Sequence, residues 1–481
     1  MAFSLSSSSS TLFLTLTLTL FSLLLLSHQQ QLPPLNSAEQ ESVYLALESI
    51  NPEIQWRTLY PDDLCLSAPH GVVCGYLPNP NSNDTVFTPH IVELNFGYVL
   101  DSSDNPPCSS NSSFPLSLSS FSHLRKLFFY RCFTGSPVLL PSLETVSSEL
   151  EELVFMENPA LFGSLSGIFG NFTSLRRFIL TGSNVSGGVP DEITKLPSLE
   201  QLTISGNGNL GMVEKGMIPN DLGFLEKLRV LDLSRNGLTG TIPNSLGNLK
   251  LLLKLDLSCN NFVGKIPEDL KNLQNLEFLD LGFNKFGNFG IPLFLGNMPR
   301  LREVYLSGNP LGGAIPEIWK NLRGILGIGL SGVGLVGNIP SSMGVFLTNV
   351  SYIGLDNNKL EGTIPKELGL LEHVNEMNLQ NNQLSGGIPF STPFVARIGG
   401  KLKLEGNSGI CLDKSMKWSV DQVKGSLRNL KICSPTTENP NAALFVDGNG
   451  NGNGNGGVSL RCNWYLVVVL GVFWSFNLVG C

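Results

Sequence analysis

The sequence is poor in charge, and basic residues are the scarcer kind. Only 15% of its 481 residues are charged, with 31 lysines and arginines against 39 aspartates and glutamates, for a formal net charge of −8. A nucleic-acid-binding surface needs clustered lysines and arginines. The composition therefore argues against nucleic acid as a partner.

Catalytic and metal-binding motifs are also missing. The sequence contains no HExxH, no GxSxG, no phosphate-binding loop and no kinase signature. Only five histidines are present, and no metal-ligand spacing is found. We therefore expect no enzymatic activity, no cofactor and no metal site.

The N-terminus lacks a basic residue before its apolar run, which extends from Leu12 to Leu26. The run nevertheless has the length of a secretory signal, and polar residues follow it. We predict a signal peptide at residues 1–38, cleaved between 27 and 38; the alternative is an uncleaved signal anchor. Secretion would agree with five N-glycosylation sequons, at Asn83, Asn111, Asn171, Asn184 and Asn349.

Repetition is the dominant positive feature. The pattern LxxLxLxxNxLxGxIP recurs, for example as LRVLDLSRNGLTGTIP from Leu228 and LLKLDLSCNNFVGKIP from Leu252. About twelve copies and a degenerate last one recur mostly every 24 or 25 residues, with apolar starts near 91, 124, 150, 175, 199, 228, 252, 276, 301, 325, 350, 374 and 399. This is the period of a leucine-rich repeat.

The spacing predicts how each copy packs. The LxL pair alternates with polar residues as a short strand requires, and stacked copies form a parallel sheet over a continuous apolar core. A column of asparagines should then point inward and satisfy backbone groups where each strand ends, at Asn236, Asn260, Asn284, Asn309, Asn358 and Asn382. Cys132, Ser183 and Val333 interrupt this column.

The GxIP form of the repeat resembles the plant extracellular leucine-rich-repeat class of receptor kinases, receptor-like proteins and wall-enzyme inhibitors. The flanks WRTLYPDDLCLSAPHGVVC and LEGNSGIC resemble the caps of that class. The resemblance implies a solenoid of α/β-type repeats with a parallel concave sheet and disulfide-capped ends. We assign an N-terminal cap to residues 39–90, repeats to 91–398 and a C-terminal cap to 399–433.

The cap resemblance also implies two disulfides, Cys65–Cys74 and Cys411–Cys433. Proximity and elimination suggest a third pair, Cys108–Cys132. Cys259 is left over, and the sequence does not decide its state.

Two groups of residues are candidate ligand contacts on the concave face. In the copy from Ile325 three of the five outward positions are glycine, and aromatic residues precede and follow the copy. This pattern predicts an aromatic-flanked notch at Phe278, Phe283, Tyr305, Gly329 and Tyr352. Sequence decay in a weak repeat is the simpler reading. A second, basic-aromatic candidate lies near the N-terminal end, at Arg125, Lys126 and Tyr130.

The C-terminal segment resembles a lipid-anchor signal. A glycine- and asparagine-rich stretch at 434–457 predicts a flexible stalk, and an apolar tail follows within 458–481. We predict attachment of a glycosylphosphatidylinositol anchor at Asn453 or Asn455, with the tail removed. The alternative is a transmembrane helix, which would lack the usual basic residues on its cytoplasmic side.

Within the family, the chain resembles receptor-like proteins without a kinase. That resemblance implies a recognition protein on the extracellular face of the plasma membrane, binding a peptide or protein and signalling through a transmembrane receptor kinase or other partner. It would act in plant–microbe or root-endophyte signalling. The alternative is a secreted, wall-associated inhibitor of microbial wall-degrading enzymes.

Overall fold

One long sheet runs through the repeats, and its fourteen strands follow the order of the chain. The first two strands pair antiparallel, whereas every later neighbour is parallel. The strands are Val72–Pro78, Phe87–Phe96, Lys126–Tyr130, Glu152–Met156, Arg177–Thr181, Gln201–Ser205, Val230–Asp232, Lys254–Asp256, Phe278–Asp280, Glu303–Tyr305, Gly327–Gly329, Tyr352–Gly354, Glu376–Asn378 and Leu402–Lys403.

The computed structural model describes residues 33–67, 69, 71–78, 87–97, 105–170, 172–207, 216–413 and 430–433. The predicted signal run, stalk and anchor segment lie outside these residues, as do the sequons at Asn83 and Asn171. Among the helices in the described ranges, none combines the length and apolar character needed to cross a membrane.

The LxL pairs build the core. A strand of the long sheet lies in each predicted copy, and equivalent leucines of successive copies stand in register, as Leu231, Leu255 and Leu279 do. These three side chains are at most 1% exposed. The prediction of a leucine-rich-repeat solenoid with a parallel sheet is confirmed.

The proline of each GxIP starts the segment opposite the sheet. Pro243, for example, is the residue before a short 3₁₀ helix whose Leu246 is fully buried. Its φ of −63° suits that position, because the proline ring restricts φ to such values. The 3₁₀ helices are Leu116–Ser120, Asp191–Lys195, Asn220–Phe224, Asn244–Asn248, Glu268–Asn272, Leu293–Asn297, Trp319–Asn321, Lys366–Leu370 and Gly399–Lys401. One copy has an α-helix instead, Ser341–Phe346.

Short strands beyond the asparagine column add three small sheets. They comprise Val138–Leu139, Leu161–Ser164 and Asn184–Ser186; Val263–Gly264 and Lys285–Phe286; and Val336–Asn338, Lys359–Thr363, Gln383–Gly387, Gly409–Leu412 and Lys431–Ile432. Most copies therefore contribute strand hydrogen bonds on two sides of the core.

The two ends of the array are covered. At the N-terminal end, helix Ser37–Ile50 buries Val43, Ala46 and Leu47 against the core, and the antiparallel strand Val72–Pro78 covers the edge of the long sheet. Helices Trp56–Leu59 and Leu64–Ser67 lie between them, and helix Thr392–Ile398 lies near the other end. Disulfides join Cys65 to Cys74, Cys108 to Cys132, and Cys411 to Cys433.

The asparagine column is a hydrogen-bonded ladder. The Nδ2 atom of Asn260 donates to the carbonyls of Leu233 (2.8 Å) and Leu257 (3.1 Å), and its Oδ1 accepts from the backbone N–H of Leu238 at 2.8 Å. One buried amide thus ties two successive copies together. The structure places nine asparagines in this ladder, the six predicted ones together with Asn158, Asn207 and Asn407.

The interruptions of the ladder differ in their consequences. At Val333 the neighbouring asparagine compensates, because Asn358 Oδ1 accepts from the N–H groups of Val333, Gly334 and Leu335 at 2.9–3.0 Å. At Ser183 the hydroxyl is buried without a hydrogen-bond partner among the described residues.

We predict that Asn260→Ala lowers the free energy of unfolding by about 2–4 kcal/mol, because it leaves buried carbonyls and an N–H unsatisfied at about 1–3 kcal/mol each. Urea unfolding followed by circular dichroism measures the loss. The matched control is Asn261→Ala, since that half-buried neighbour makes one long side-chain bond, 3.4 Å to the Gly237 carbonyl. Equal losses for the two variants would contradict the ladder's role.

Candidate functional site

The outward side chains of the long sheet form columns across the repeats. The register aligns one such column in the order Asp232, Asp256, Asp280, Tyr305, Gly329, Gly354, Asn378 and Lys403. Carboxylates therefore occupy one part of the column, and tyrosine and glycines occupy the next. The candidate site lies where these two parts meet.

Aromatic and charged side chains are in contact at this junction. The rings of Phe278 and Tyr305 lie 5.8 Å apart between centroids, and Lys254 Nζ lies 5.3 Å from the centre of the Phe278 ring. The Tyr305 hydroxyl donates to Glu303 Oε2 at 2.9 Å. Phe278 and Glu303 are buried, whereas Tyr305 remains half-exposed.

The glycines of the predicted notch are covered by Tyr305. A β-carbon at Gly329 would lie 2.6 Å from Tyr305 Cδ1, and one at Gly327 would lie 2.6 Å from its hydroxyl. Side chains at these positions would displace the ring. The notch is therefore filled by the tyrosine that the sequence placed beside it, and the glycines are explained by this packing.

The other predicted aromatics lie over glycines in the same way. A β-carbon at Gly308 would lie 2.6 Å from Phe283 Cδ1, and one at Gly354 would lie 2.5 Å from the Tyr352 hydroxyl. Phe283 is 40% exposed and Tyr352 is half-buried. The result is a shallow, ring-paved surface, which we call the aromatic platform: Phe278, Phe283, Tyr305 and Tyr352.

Next to the aromatic platform, the acidic column holds a buried lysine. Lys254 Nζ lies 2.8 Å from Asp232 Oδ2 and 3.6 Å from Asp256 Oδ2, and its side chain is 10% exposed. Burial opposes the charge of Asp232, but Lys254 outweighs it and holds the pKa of that carboxyl below its usual value. Two further carboxylates, Asp280 and Glu303, have no ion pair of this kind among the described residues.

The remaining carboxyls of the cluster hold their protons more tightly than usual. Burial, together with the neighbouring Asp232, raises the pKa of Asp256 to about 6. Burial, together with Asp256, raises the pKa of Asp280 to about 8. Burial also raises the pKa of Glu303. It raises the pKa of Tyr305 as well, and that of Tyr352 to about 12, so both tyrosines of the aromatic platform are neutral at ordinary pH.

The cations of the basic-aromatic candidate near the N-terminal end are paired with carboxylates. Arg125 Nε lies 2.8 Å from Glu151 Oε1, and Lys126 Nζ lies 3.7 Å from both Glu93 and Glu152. Its aromatic member Tyr130 is half-buried. These contacts cancel most of the positive charge, so this patch offers little attraction to an anionic ligand.

The modification and metal predictions fall on both described and undescribed residues. Asn111, Asn184 and Asn349 are exposed, whereas Asn83, Asn171, Asn453 and Asn455 lie outside the described ranges. Cys259, left over in the sequence, is half-buried and lies shortly after the strand Lys254–Asp256. Within the described ranges, no group of three or more histidines, cysteines, aspartates or glutamates could hold a metal ion.

Sequence reasoning missed two members of the site, Lys254 and Glu303. Lys254 lies two residues before Asp256, and Glu303 lies two residues before Tyr305. Polar residues are common at such outward positions of a strand. A signal for the aromatic packing was present: Phe283 and Tyr305 are followed one repeat later by Gly308 and Gly329.

Comparison with known proteins supports the fold and the resemblance. Models of the leucine-rich repeat match residues 226–286 and 300–322. Three relatives from Arabidopsis thaliana are similar: receptor like protein 29 (35% identical over 179 residues, 37% of this chain and 30% of that protein), protein TOO MANY MOUTHS (34% over 140 residues, 29% and 26%), and Piriformospora indica-insensitive protein 2 (33% over 159 residues, 32% and 34%). The matches span about a quarter to a third of each relative.

Solved structures of similar fold include plant receptors. The TDR receptor has a TM-score of 0.52 at 25% identity over 63% of this chain and 50% of that one. The PEPR1–AtPEP1 structure has 0.51 at 28% (63% and 44%), and the plant peptide hormone receptor RGFR1 in complex with RGF2 has 0.50 at 26% (65% and 56%). The chain thus has a leucine-rich-repeat fold and is similar to plant receptor-like proteins.

We predict that Asp280→Asn stabilises the chain at pH 8 and has a smaller effect at pH 5. Asp256 and Asp280 have raised pKa values in the folded state, so between about pH 4 and 8 the folded state binds more protons than the unfolded state. Their contribution to stability therefore falls as the pH rises through that window. Even one pKa unit corresponds to about 1.4 kcal/mol.

Thermal unfolding across this pH range checks the prediction. Asparagine retains the Oδ1 acceptor for the Gly282 N–H, which lies 2.8 Å away. The control is Asp221→Asn, which removes an exposed carboxylate elsewhere. A loss of stability at pH 8 for Asp280→Asn would contradict the expected cost of ionising that carboxyl.

Proposed function

We propose that this chain is a cell-surface recognition protein that binds a peptide or protein partner on the outward face of its long sheet. It acts as a receptor-like protein or co-receptor without a kinase. The observation that carries this proposal is the aromatic platform. It is a half-exposed aromatic surface on a rigid sheet, directly beside carboxylates.

The chemistry of the aromatic platform suits an extended peptide. Aromatic side chains are enriched at the centres of protein contacts because they bury a large area with little loss of conformational freedom. Tyr305 and Tyr352 keep hydroxyl groups that can donate or accept hydrogen bonds. The adjoining carboxyl groups of Asp280 and Glu303 can also exchange hydrogen bonds with the polar groups of a partner.

The names of similar proteins support this class of partner. The PEPR1 structure is that of PEPR1–AtPEP1, and RGFR1 is a plant peptide hormone receptor in complex with RGF2. Those ligands are properties of those proteins. For this chain they favour a peptide or small protein over a compact small molecule, which would need a deeper cavity than the aromatic platform provides.

Signalling in this proposal requires a second protein. Attachment by a glycosylphosphatidylinositol anchor at Asn453 or Asn455 would hold the chain on the outer membrane face, and a transmembrane receptor kinase would carry the signal inward. The similarity to Piriformospora indica-insensitive protein 2 favours a role in plant–microbe or root-endophyte signalling.

We predict that Tyr305→Ala combined with Tyr352→Ala abolishes partner binding without unfolding the chain. Both rings are partly exposed on the outward face, so their loss removes the contact surface more than the fold. The measurement is capture of partners from root membranes by the full-length tagged chain. The ligand captured by the unsubstituted chain is then titrated against that chain and against the variant.

The control for that experiment is Phe224→Ala combined with Phe289→Ala. These rings are 65% and 62% exposed and belong to the 3₁₀ helix Asn220–Phe224 and to the loop before Pro292, away from the long sheet. The control variant should bind as the ordinary chain does. Unchanged binding by the tyrosine variant would reject the aromatic platform as the contact surface.

We predict that phosphatidylinositol-specific phospholipase releases the chain from membranes, because the enzyme cleaves the anchor that the C-terminal signal specifies. Immunoblotting of the supernatant after treatment measures release, and Asn453→Leu combined with Asn455→Leu removes both predicted attachment residues. Chain found free in wall fluid without treatment would favour the alternative, a secreted wall-associated inhibitor. Retention on the membrane would favour a transmembrane tail.

A further inference from the structure

A groove of about 810 Å³ follows the edge of the long sheet where the strands begin. Its floor and walls come from two rows of residues, one just before and one just after the first apolar residue of each copy. Its lining includes Arg300, Arg302, Gly324, Leu326, Asn349 and His373. The copies that form it include those that carry the aromatic platform.

The middle of this groove is open because Gly324 has no side chain. A β-carbon there would meet a single atom within 4 Å, the Leu301 carbonyl oxygen at 3.9 Å. Leu326, which lies next along the chain in the groove, is 37% exposed. The groove thus combines an empty notch with an apolar contact and flanking arginines.

One wall of the notch is a glycosylation sequon. Asn349 is exposed, and Val350 and Ser351 complete the sequence Asn-Val-Ser. The Asn349 Nδ2 donates to the Arg323 carbonyl at 3.1 Å. N-glycosylation replaces one of the two amide hydrogens, so the other can keep this bond and hold the side chain at the groove.

We propose that Asn349 carries an N-linked glycan whose first sugars occupy the groove over Gly324 and Leu326. The inference rests on the proposed cell-surface location, because N-glycans are added to secreted chains. The apolar face and acetyl methyl of the first sugar can pack on Leu326. Its hydroxyls can use the remaining guanidinium donors of Arg300 and Arg302, which also contact Asn275 (2.8 Å) and Glu277 (3.6 Å). The occupant is thus covalently part of this chain.

A glycan in the groove restricts how a ligand reaches the aromatic platform. It closes the edge where the strands begin, between the copies from Leu301 and Val374. A partner on Tyr305 and Tyr352 must then approach from the opposite edge, where the strands end. The glycan would exclude partners that need both edges and so contribute to specificity.

The test is mass spectrometry of glycopeptides from the secreted chain, combined with hydroxyl-radical footprinting before and after enzymatic removal of N-glycans. Leu326 and His373 should be oxidised several-fold more slowly while the glycan is present. Phe289, exposed and outside the groove, should not change. Ser351→Ala removes the sequon and should match the deglycosylated chain, whereas Ser351→Thr retains it and should match the ordinary chain.

Each outcome decides the inference. Occupied Asn349 with protected Leu326 supports it. Occupied Asn111 or Asn184 with unoccupied Asn349 overturns it and leaves the proposed function intact. Occupied Asn349 with unprotected Leu326 overturns placement of the sugars in the groove. A secreted chain without any glycan overturns it as well, and failure of the chain to enter the secretory route overturns the proposed cell-surface location with it.

Discussion

The structure depends on a buried amide that recurs once per repeat. At the end of each strand the chain must turn while still inside the core, where backbone groups cannot reach water. The ladder asparagine satisfies carbonyls of its own copy and of the preceding one, as Asn260 does at Leu257 and Leu233. A hydroxyl or an apolar side chain cannot span both copies in this way, as the orphaned Ser183 hydroxyl illustrates. Leucine packing supplies most of the burial, but these amides fix the turn and hence the register of every strand.

Because this constraint is periodic, the sequence reveals the fold in detail. Leucines at fixed spacing specify the strands, the proline of GxIP specifies where each opposite segment begins, and a strand lies in each predicted copy. The antiparallel strand Val72–Pro78 was not anticipated, because it belongs to no repeat and its burial alternates weakly. The ladder was also longer than predicted, since Asn158, Asn207 and Asn407 lie in copies whose other positions are degenerate.

The candidate site was predictable only in part. The register of the outward column followed from the repeat alone, and the structure brings Phe278 and Tyr305 together as expected. The direction of the side chains could not be predicted from the repeat. The Tyr305 ring leans onto the glycines of the next copy and fills the space above them. The pairing of Arg125 with Glu151 likewise depends on residues one repeat apart, which periodicity aligns but does not orient. Rotamers and ion pairs depend on side chains of the neighbouring copies, so the pattern of a single copy does not predict them.

The copy from Ile325 has a mechanical consequence. It lacks the ladder amide at Val333 and lacks side chains at Gly327 and Gly329, so much of its packing is supplied by its neighbours, through Asn358 and Tyr305. In a linear array each unit touches only the next, so the two halves of the molecule are joined through this copy. Tyr305 and Tyr352 belong to the copies on its two sides. A ligand that contacts both tyrosines would therefore cross-link the two flanking copies and stabilise the array as a whole.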